Sequence, residues 1–318
     1  MPVVAVTDYT FPSLDIERHV LEGVDLVSGQ CKTVESLLPL VQDADAVITQ
    51  FAPVRAEVIA AMNRARVIVR YGIGVDNVDL DAAARRGIPV CNVPDYCIDE
   101  VADHTLAFIL SVTRQVVSNC VHLRAGNWGL ATSLDQMRVL REQTVGIVGF
   151  GRIGREVAQR LAPFKARRLV FDPVIDPVII SQSGCQAVPL EQLLAESDIV
   201  TLHCPSTAQT RRLLNANSID GMKPGAIVIN LARGDLIETQ ALVDALQSGH
   251  LSAAAIDVCD PEPIPAESPL RSLPNVITAA HIASASPTAV RKLRETAAQT
   301  ALAALLGRPL PHVVNGVV

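Results

Sequence analysis

The chain has 318 residues, 49% of them hydrophobic and 19% charged, with a formal net charge of −6 and a pI near 5.6. This is a globular composition, and its acidity excludes a general nucleic-acid surface. No apolar run reaches the ~18 residues of a membrane span, and the opening residues lack the basic and apolar segments of a signal peptide, so the cytoplasm is the expected location.

Residues 3–7 and 24–28 read as strands, 34–40 as a helix, 46–49 as a strand and 56–63 as a helix. A strand at 67–70, a helix at 80–86 closed by Gly87 and a strand at 88–92 continue the alternation. Such alternation implies a parallel sheet with helices on its faces, so the first ~95 residues form an α/β domain. They carry no dinucleotide fingerprint. Asp99 is placed to cap a long helix predicted over 100–124, with apolar or small residues at 102, 106, 109, 113, 116, 117, 120 and 121 on one stripe. Trp128 follows it as a packing or dimer-contact residue.

Thr144 to Gly154 (TVGIVGFGRIG) is the stretch on which the rest depends. A short uncharged strand passes through Gly-x-Gly-x-x-Gly into a helix predicted from Arg155, the context in which this pattern binds a dinucleotide. Gly149 allows the turn, Gly151 the approach of a pyrophosphate, and Gly154 close helix–strand packing, with the helix N-terminus facing the phosphates. A second strand ends at Asp172, 18 residues after Gly154. That is close to the ~20-residue spacing of an acid that meets ribose hydroxyls and favours NAD over NADP.

Further strands are expected at 199–203, 226–230 and 253–258, then a helix over 288–306, and 311–315 as a last element of the first domain. Ligands bind beyond the carboxyl ends of parallel strands. The residues there are His203-Cys204-Pro205, Leu231-Ala232-Arg233-Gly234, Asp257 with Glu262, and His281. Arg233 is a charged fork suited to a carboxylate, His281 exchanges protons near neutral pH, and Glu262 is an acid to hold its ring. On spacing alone, each also reads as an ordinary loop residue. The seven cysteines (31, 91, 97, 120, 185, 204, 259) are scattered without Cys-x-x-Cys, so neither a metal site nor a disulfide framework is expected.

Taken together, Val148-Gly149-Phe150-Gly151-Arg152-Ile153-Gly154, Asn230-Leu231-Ala232-Arg233-Gly234, Ala255-Ile256-Asp257-Val258 with Pro261-Glu262-Pro263, and His281-Ile282-Ala283 resemble the D-isomer-specific 2-hydroxyacid dehydrogenase family. The resemblance runs over essentially the whole chain. It implies two Rossmann-like, doubly wound α/β domains with the active cleft between them. The substrate domain, flavodoxin-like, would comprise 1–98 and 285–318, and the NAD-binding domain 99–284. It also implies interconversion of a D-2-hydroxy acid and its 2-oxo acid, with NAD as cofactor. Arg233 then anchors substrate, Glu262 supports the histidine, and His281 is the acid/base. Cofactor contacts fall at Gly149, Gly151, Arg152, Ile153, Gly154, Asp172, His203, Cys204, Pro205, Leu231, Ala232, Asp257 and Ser284. Arg70-Tyr71-Gly72-Ile73-Gly74 resembles the substrate-facing loop, where the N–H groups of Ile73 and Gly74 bind a carboxylate and Arg70 is either a second positive charge or a surface ion pair. A homodimer through the cofactor domain and its long helix is implied.

The chain also departs from the family pattern. Ala279-Ala280 precedes His281 where Thr-Pro is common, Ala283-Ser284 follows it where Gly-Gly or Ala-Gly often appears, and no tryptophan stands between His281 and Pro287. No additional C-terminal regulatory domain is expected. Two other readings stay open: an NAD(H)-sensing dimeric scaffold of the corepressor type, and a dehydrogenase of another small anion such as phosphonate.

Overall fold

The computed structural model describes residues 1–317. Two compact units emerge, one of Met1–Tyr96 with the segment from Ser286 onward, the other of Cys97–Ala285. In the first, β1 (Val3–Val6), α1 (Asp15–Val20), β2 (Asp25–Ser28), α2 (Val34–Val41), β3 (Ala46–Thr49), α3 (Ala56–Ala61), β4 (Ile68–Arg70), α4 (Leu80–Arg85) and β5 (Val90–Cys91) alternate. The strands pair in parallel in the order β2-β1-β3-β4-β5. Every residue of β3, β4 and β5 is buried, and burial on both faces is why they read as unbroken apolar runs. Because β1 lies between β2 and β3, the strand order reverses beside β1, and the β1 and β3 ends flank that switch point.

The second unit begins with α5 (Ile98–Thr113) and α6 (Val116–Arg124). It continues through β6 (Thr144–Val148), α7 (Arg152–Leu161), β7 (Arg167–Phe171), α8 (Pro177–Gln182), β8 (Gln186–Ala187), α9 (Leu190–Glu196) and β9 (Ile199–Leu202). It ends with α10 (Ala216–Asp220), β10 (Ala226–Asn230), α11 (Thr239–Ser248), β11 (Leu251–Ile256) and β12 (Val276–Thr278). Seven parallel strands run in the order β12-β11-β10-β9-β6-β7-β8, which places the end of β6 at the switch point. The fold class is that expected from the sequence. The final helix α12 (Pro287–Leu305) belongs to the first unit and is capped by Ser286 Oγ accepting from Ala289 N–H.

Four details differ from expectation. The helix predicted over 100–124 is two helices bent by 61°, because Gln115 takes a left-handed conformation at φ 52°. The Thr113 carbonyl, which a continuous helix would offer to residue 117, accepts instead from Arg138 N–H at 2.9 Å. The apolar stripe therefore splits: Ala102, Ile109 and Thr113 are buried, while Val116, Val117, Cys120 and Val121 are exposed. Asp99 does not cap α5, which starts at Ile98. It bonds Arg160 of α7 at 2.6 Å, and Asp103 joins the same guanidinium at 2.7 Å. Finally, α7 starts at Arg152, so Gly154 lies inside the helix, and 311–315 adds only a bridge between Val313 and Cys91.

Candidate active site

The loop after β6 is shaped by close approach. Gly149 has φ 94°, and a Cβ there would lie 2.7 Å from the backbone of His203 and Cys204. A Cβ on Gly154 would lie 2.1 Å from the Gly149 carbonyl oxygen. Gly151, the residue before the first turn of α7, is different: a Cβ there meets nothing within 4 Å. Two glycines hold the turn against the sheet, and the third leaves open space over a helix N-terminus, a cradle fit for a pyrophosphate.

Asp172 ends β7 and locks the turn. Its Oδ2 accepts from Phe150 N–H at 2.7 Å, and its Oδ1 accepts from Val174 and Ile175 N–H at 2.9 and 3.0 Å. Burial works to raise its carboxyl, but these three donors and the Arg155 charge outweigh it, and the pKa lies below 3.8. An ionised carboxylate retains lone pairs for sugar hydroxyls. His203 N–H bonds the Val148 carbonyl at 2.7 Å, and its Nε2 lies 2.9 Å from Thr201 Oγ1. Burial depresses the imidazole pKa to about 4, so His203 is a neutral wall at pH 7. Burial likewise pushes the Cys204 thiol up to about 11. Pro205 follows on the exposed side, its carbonyl accepting from Thr210 Oγ1 at 2.6 Å.

Beyond β10 and β11 the geometry concentrates on His281. Its Nδ1 lies 3.0 Å from Glu262 Oε2, and Glu262 Oε1 accepts from Cys259 N–H at 3.0 Å. Burial favours a protonated Glu262, but the His281 hydrogen bond, the Cys259 N–H and the charges of His281 and Arg233 prevail, leaving its pKa below 4.5. An ionised carboxylate only accepts, so the Nδ1 that faces it carries a proton. His281 has φ 54°, an uncommon backbone state for a side-chain-bearing residue.

Asp257, almost fully buried, enforces that state. Its carbonyl accepts from His281 N–H at 2.7 Å, and its carboxylate oxygens accept from Ile282 and Ala283 N–H, each at 2.8 Å. Ser284 follows, partly exposed. The Arg233 turn is fixed in a similar way. Asn230 Nδ2 donates to the Arg233 carbonyl at 2.8 Å and Asn230 Oδ1 accepts from Ala232 N–H at 3.0 Å, while Leu231 is buried. Gly234 permits the turn to press on Cys259, where a Cβ would lie 2.0 Å from its carbonyl.

In the first unit the loop after β4 divides its labour. The Arg70 guanidinium is buried, donates through Nη1 to the Tyr71 carbonyl at 2.7 Å, and crosses Gly72 so closely that a Cβ there would lie 1.2 Å from Nη1. The Tyr71 ring turns into the core, where its hydroxyl donates to Glu17 Oε1 at 2.9 Å. Arg294 closes on both Glu17 oxygens at 2.8 and 2.5 Å. Tyr71 is only 1% exposed, its N–H bonded to the Thr49 carbonyl and its own carbonyl to Arg70. Val93 N–H donates to the Gly72 carbonyl and Asn92 Nδ2 to that of Ile73. Among the described residues the N–H groups of Ile73 and Gly74 have no acceptor. Carbonyls tied back and adjacent N–H groups left over form an anion nest.

The sequence model described as the D-isomer specific 2-hydroxyacid dehydrogenase, NAD binding domain, matches residues 106–283. The chain belongs to the D-isomer-specific 2-hydroxyacid dehydrogenase family. It is 36% identical over 316 residues to D-3-phosphoglycerate dehydrogenase of Mycobacterium bovis, covering 99% of this chain but only 59% of that protein. It is 37% identical over 323 residues to glyoxylate reductase of Thermofilum pendens, covering 96% and 94% of the two. D-lactate dehydrogenase from Aquifex aeolicus, solved with NAD and lactic acid, matches with a TM-score of 0.88 at 27% identity, covering 96% of each chain.

As a member of the family the chain carries an NAD-binding domain, and the open cradle above Gly151 suits that cofactor. Sequence reasoning missed two supporting groups and one supporting role. Asp257, expected to meet the cofactor, also accepts from the segment after His281 on both carboxylate oxygens. Asn230 and Glu17 were not singled out. An asparagine ending a strand before a charged turn was the available signal for the first. Nothing local marks the second, whose partner is 277 residues away.

Proposed function

We propose that the chain is an NAD-dependent dehydrogenase interconverting a D-2-hydroxy acid and its 2-oxo acid. The observation that carries this reading is the Glu262–His281 pair at 3.0 Å, under the charge of Arg233 and in the same unit as the glycine loop. NAD, when bound against Gly149–Gly154 and Asp172, supplies or takes the hydride. Arg233 holds the carboxylate and carbonyl of the oxo acid by its guanidinium fork. In the reducing direction protonated His281 gives the Nε2 proton to the oxygen that becomes the hydroxyl. Glu262 keeps the ring in the tautomer that does so, and Asp257 keeps the backbone that presents it. Within the first unit, the adjacent Ile73 and Gly74 N–H groups suit a carboxylate.

We assign the protein to the cytoplasm, consistent with seven cysteines that are all free thiols. A homodimer is supported by apolar side chains exposed along α6 and after it, with Val121 at 60% and Trp128 at 93% exposure, a patch that a solitary protomer would leave in water. Val121→Asp should then lower the mass measured by light scattering.

The decisive assay follows NADH oxidation against glyoxylate, hydroxypyruvate, pyruvate, branched and aromatic oxo acids and phosphohydroxypyruvate, with NADPH in parallel. Turnover of at least one with NADH is the expected result. Silence across the panel with NADH binding intact would sink the reading in favour of a cofactor-sensing scaffold.

A further inference from the structure

In the glycine turn, side chains hold both backbone polar groups of Phe150. Its N–H donates to Asp172 Oδ2 at 2.7 Å, and its carbonyl accepts from Arg155 Nε at 3.0 Å. Among the described residues no backbone N–H reaches that carbonyl. The Phe150 ring is buried, and the Arg155 guanidinium lies over it, 5.7 Å from its centroid. Through this one side chain, α7 reaches back to grip the turn that leads into it.

The peptide bond from Phe150 to Gly151 is planar and trans, so its carbonyl and its N–H point in opposite directions. Holding the Phe150 carbonyl therefore fixes where the Gly151 N–H points. That N–H has no acceptor among the described residues, and it stands at the open helix start where a Cβ would meet nothing within 4 Å. Arg152 and Arg155 lie in the opening turn of α7, which holds no acid, although the helix dipole disfavours cations there. An anion bound at the helix start reverses that cost. Arg155 is exposed, and its Nη1 and Nη2 donate to no described residue. Its charge also bears on Asp172: burial raises that carboxyl, while the Phe150, Val174 and Ile175 N–H groups and the Arg155 charge lower it.

We propose that Arg155 is a positioning residue for the cofactor. Through the Phe150 carbonyl it fixes the Gly151 N–H for the pyrophosphate, and beside Asp172 it offsets part of that acid's repulsion of a 2′-phosphate. Affinity for NADH and the margin of NADH over NADPH therefore both depend on it. The inference rests on the placement of NAD against Gly149–Gly154 and Asp172 proposed above, and not on which acid is oxidised.

The test is fluorescence titration of the full chain with NADH and with NADPH, in the wild type, Arg155→Ala, Arg155→Lys and Gly151→Ala. Arg155→Ala should raise the Kd for NADH by about tenfold, the value of one charge-assisted hydrogen bond. The Kd for NADPH should rise by about threefold more than that, the scale of one solvent-exposed charge pair. Arg155→Lys keeps the charge but not the fork, so it should restore the margin between the two cofactors and only part of the NADH affinity. An equal loss for NADH and NADPH in Arg155→Ala would reduce the residue to a support of the helix and overturn the inference. Unchanged NADH affinity in Arg155→Ala, with affinity weakened in Gly151→Ala, would overturn it and leave the cradle standing. Unchanged NADH affinity in both would overturn the cradle as well.

Discussion

Two glycine-bearing loops leave the carboxyl ends of parallel strands here, one at 149–154 after β6 and one at 72–74 after β4. The first is followed at once by a ten-residue helix, so its N–H groups are aimed by α7, and glycine is needed where backbones nearly touch. No helix follows the second until α4, at Leu80. Its N–H groups are aimed by side chains that take up the competing carbonyls: Arg70 at Tyr71 and Asn92 at Ile73. One loop is organised by secondary structure and the other by individual hydrogen bonds. That difference explains why the first is legible from glycine spacing alone and the second only through a resemblance.

Substitutions can break the comparison at either end. Gly154→Ala drives a methyl to 2.1 Å from the Gly149 carbonyl oxygen, so the largest expected effect is loss of NADH binding, read by fluorescence titration. Gly151→Ala should leave thermal stability unchanged and weaken NADH affinity alone, because its Cβ points into the open cradle. Equal destabilisation by both would show that the cradle is ordinary packing. Arg233→Ala should lower kcat/KM by roughly 10³-fold or more, as loss of a charged anchor in the transition state does, with NADH affinity retained. Unchanged activity would remove Arg233 from the site.

Smaller effects sharpen the contrast. Gly72→Ala must displace the Arg70 guanidinium, so KM for the oxo acid should rise by roughly tenfold, about the value of one charge-assisted hydrogen bond, with NADH affinity unaltered. Asp172→Asn should raise relative use of NADPH by a modest factor, since it removes a charge that repels a phosphate.

The least effect is on stability with pH. The folded His203 pKa of about 4 lies below its ordinary 6.5, so as pH falls through 6.5 the unfolded chain takes up a proton that the folded chain refuses. The melting temperature should therefore drop between pH 6.5 and about 4, and His203→Asn should flatten that part of the profile.

Much of this was legible in the sequence because it was local. Strands buried on both faces leave apolar runs, and Arg233, Glu262 and His281 stand where strand ends must lie. What was not legible depended on distant partners. The break at Gln115 follows from Arg138 reaching the Thr113 carbonyl, and the inward turn of Tyr71 from Glu17 and Arg294. Asp257 and Asp172 look alike in sequence, each an acid ending a strand. Yet one is almost fully buried and holds the segment after His281, while the other is partly exposed and holds a turn.

That use of Asp257 changes what counts as the working part. A histidine moved to another scaffold would arrive without the left-handed backbone that presents it, because two amides after it would lack their carboxylate. The smallest piece that could be transplanted, or inherited intact, is the acid at the end of β11 together with residues 281–283. Replacing Asp257 should then release the posture of residues 281–283, whatever else its carboxylate touches.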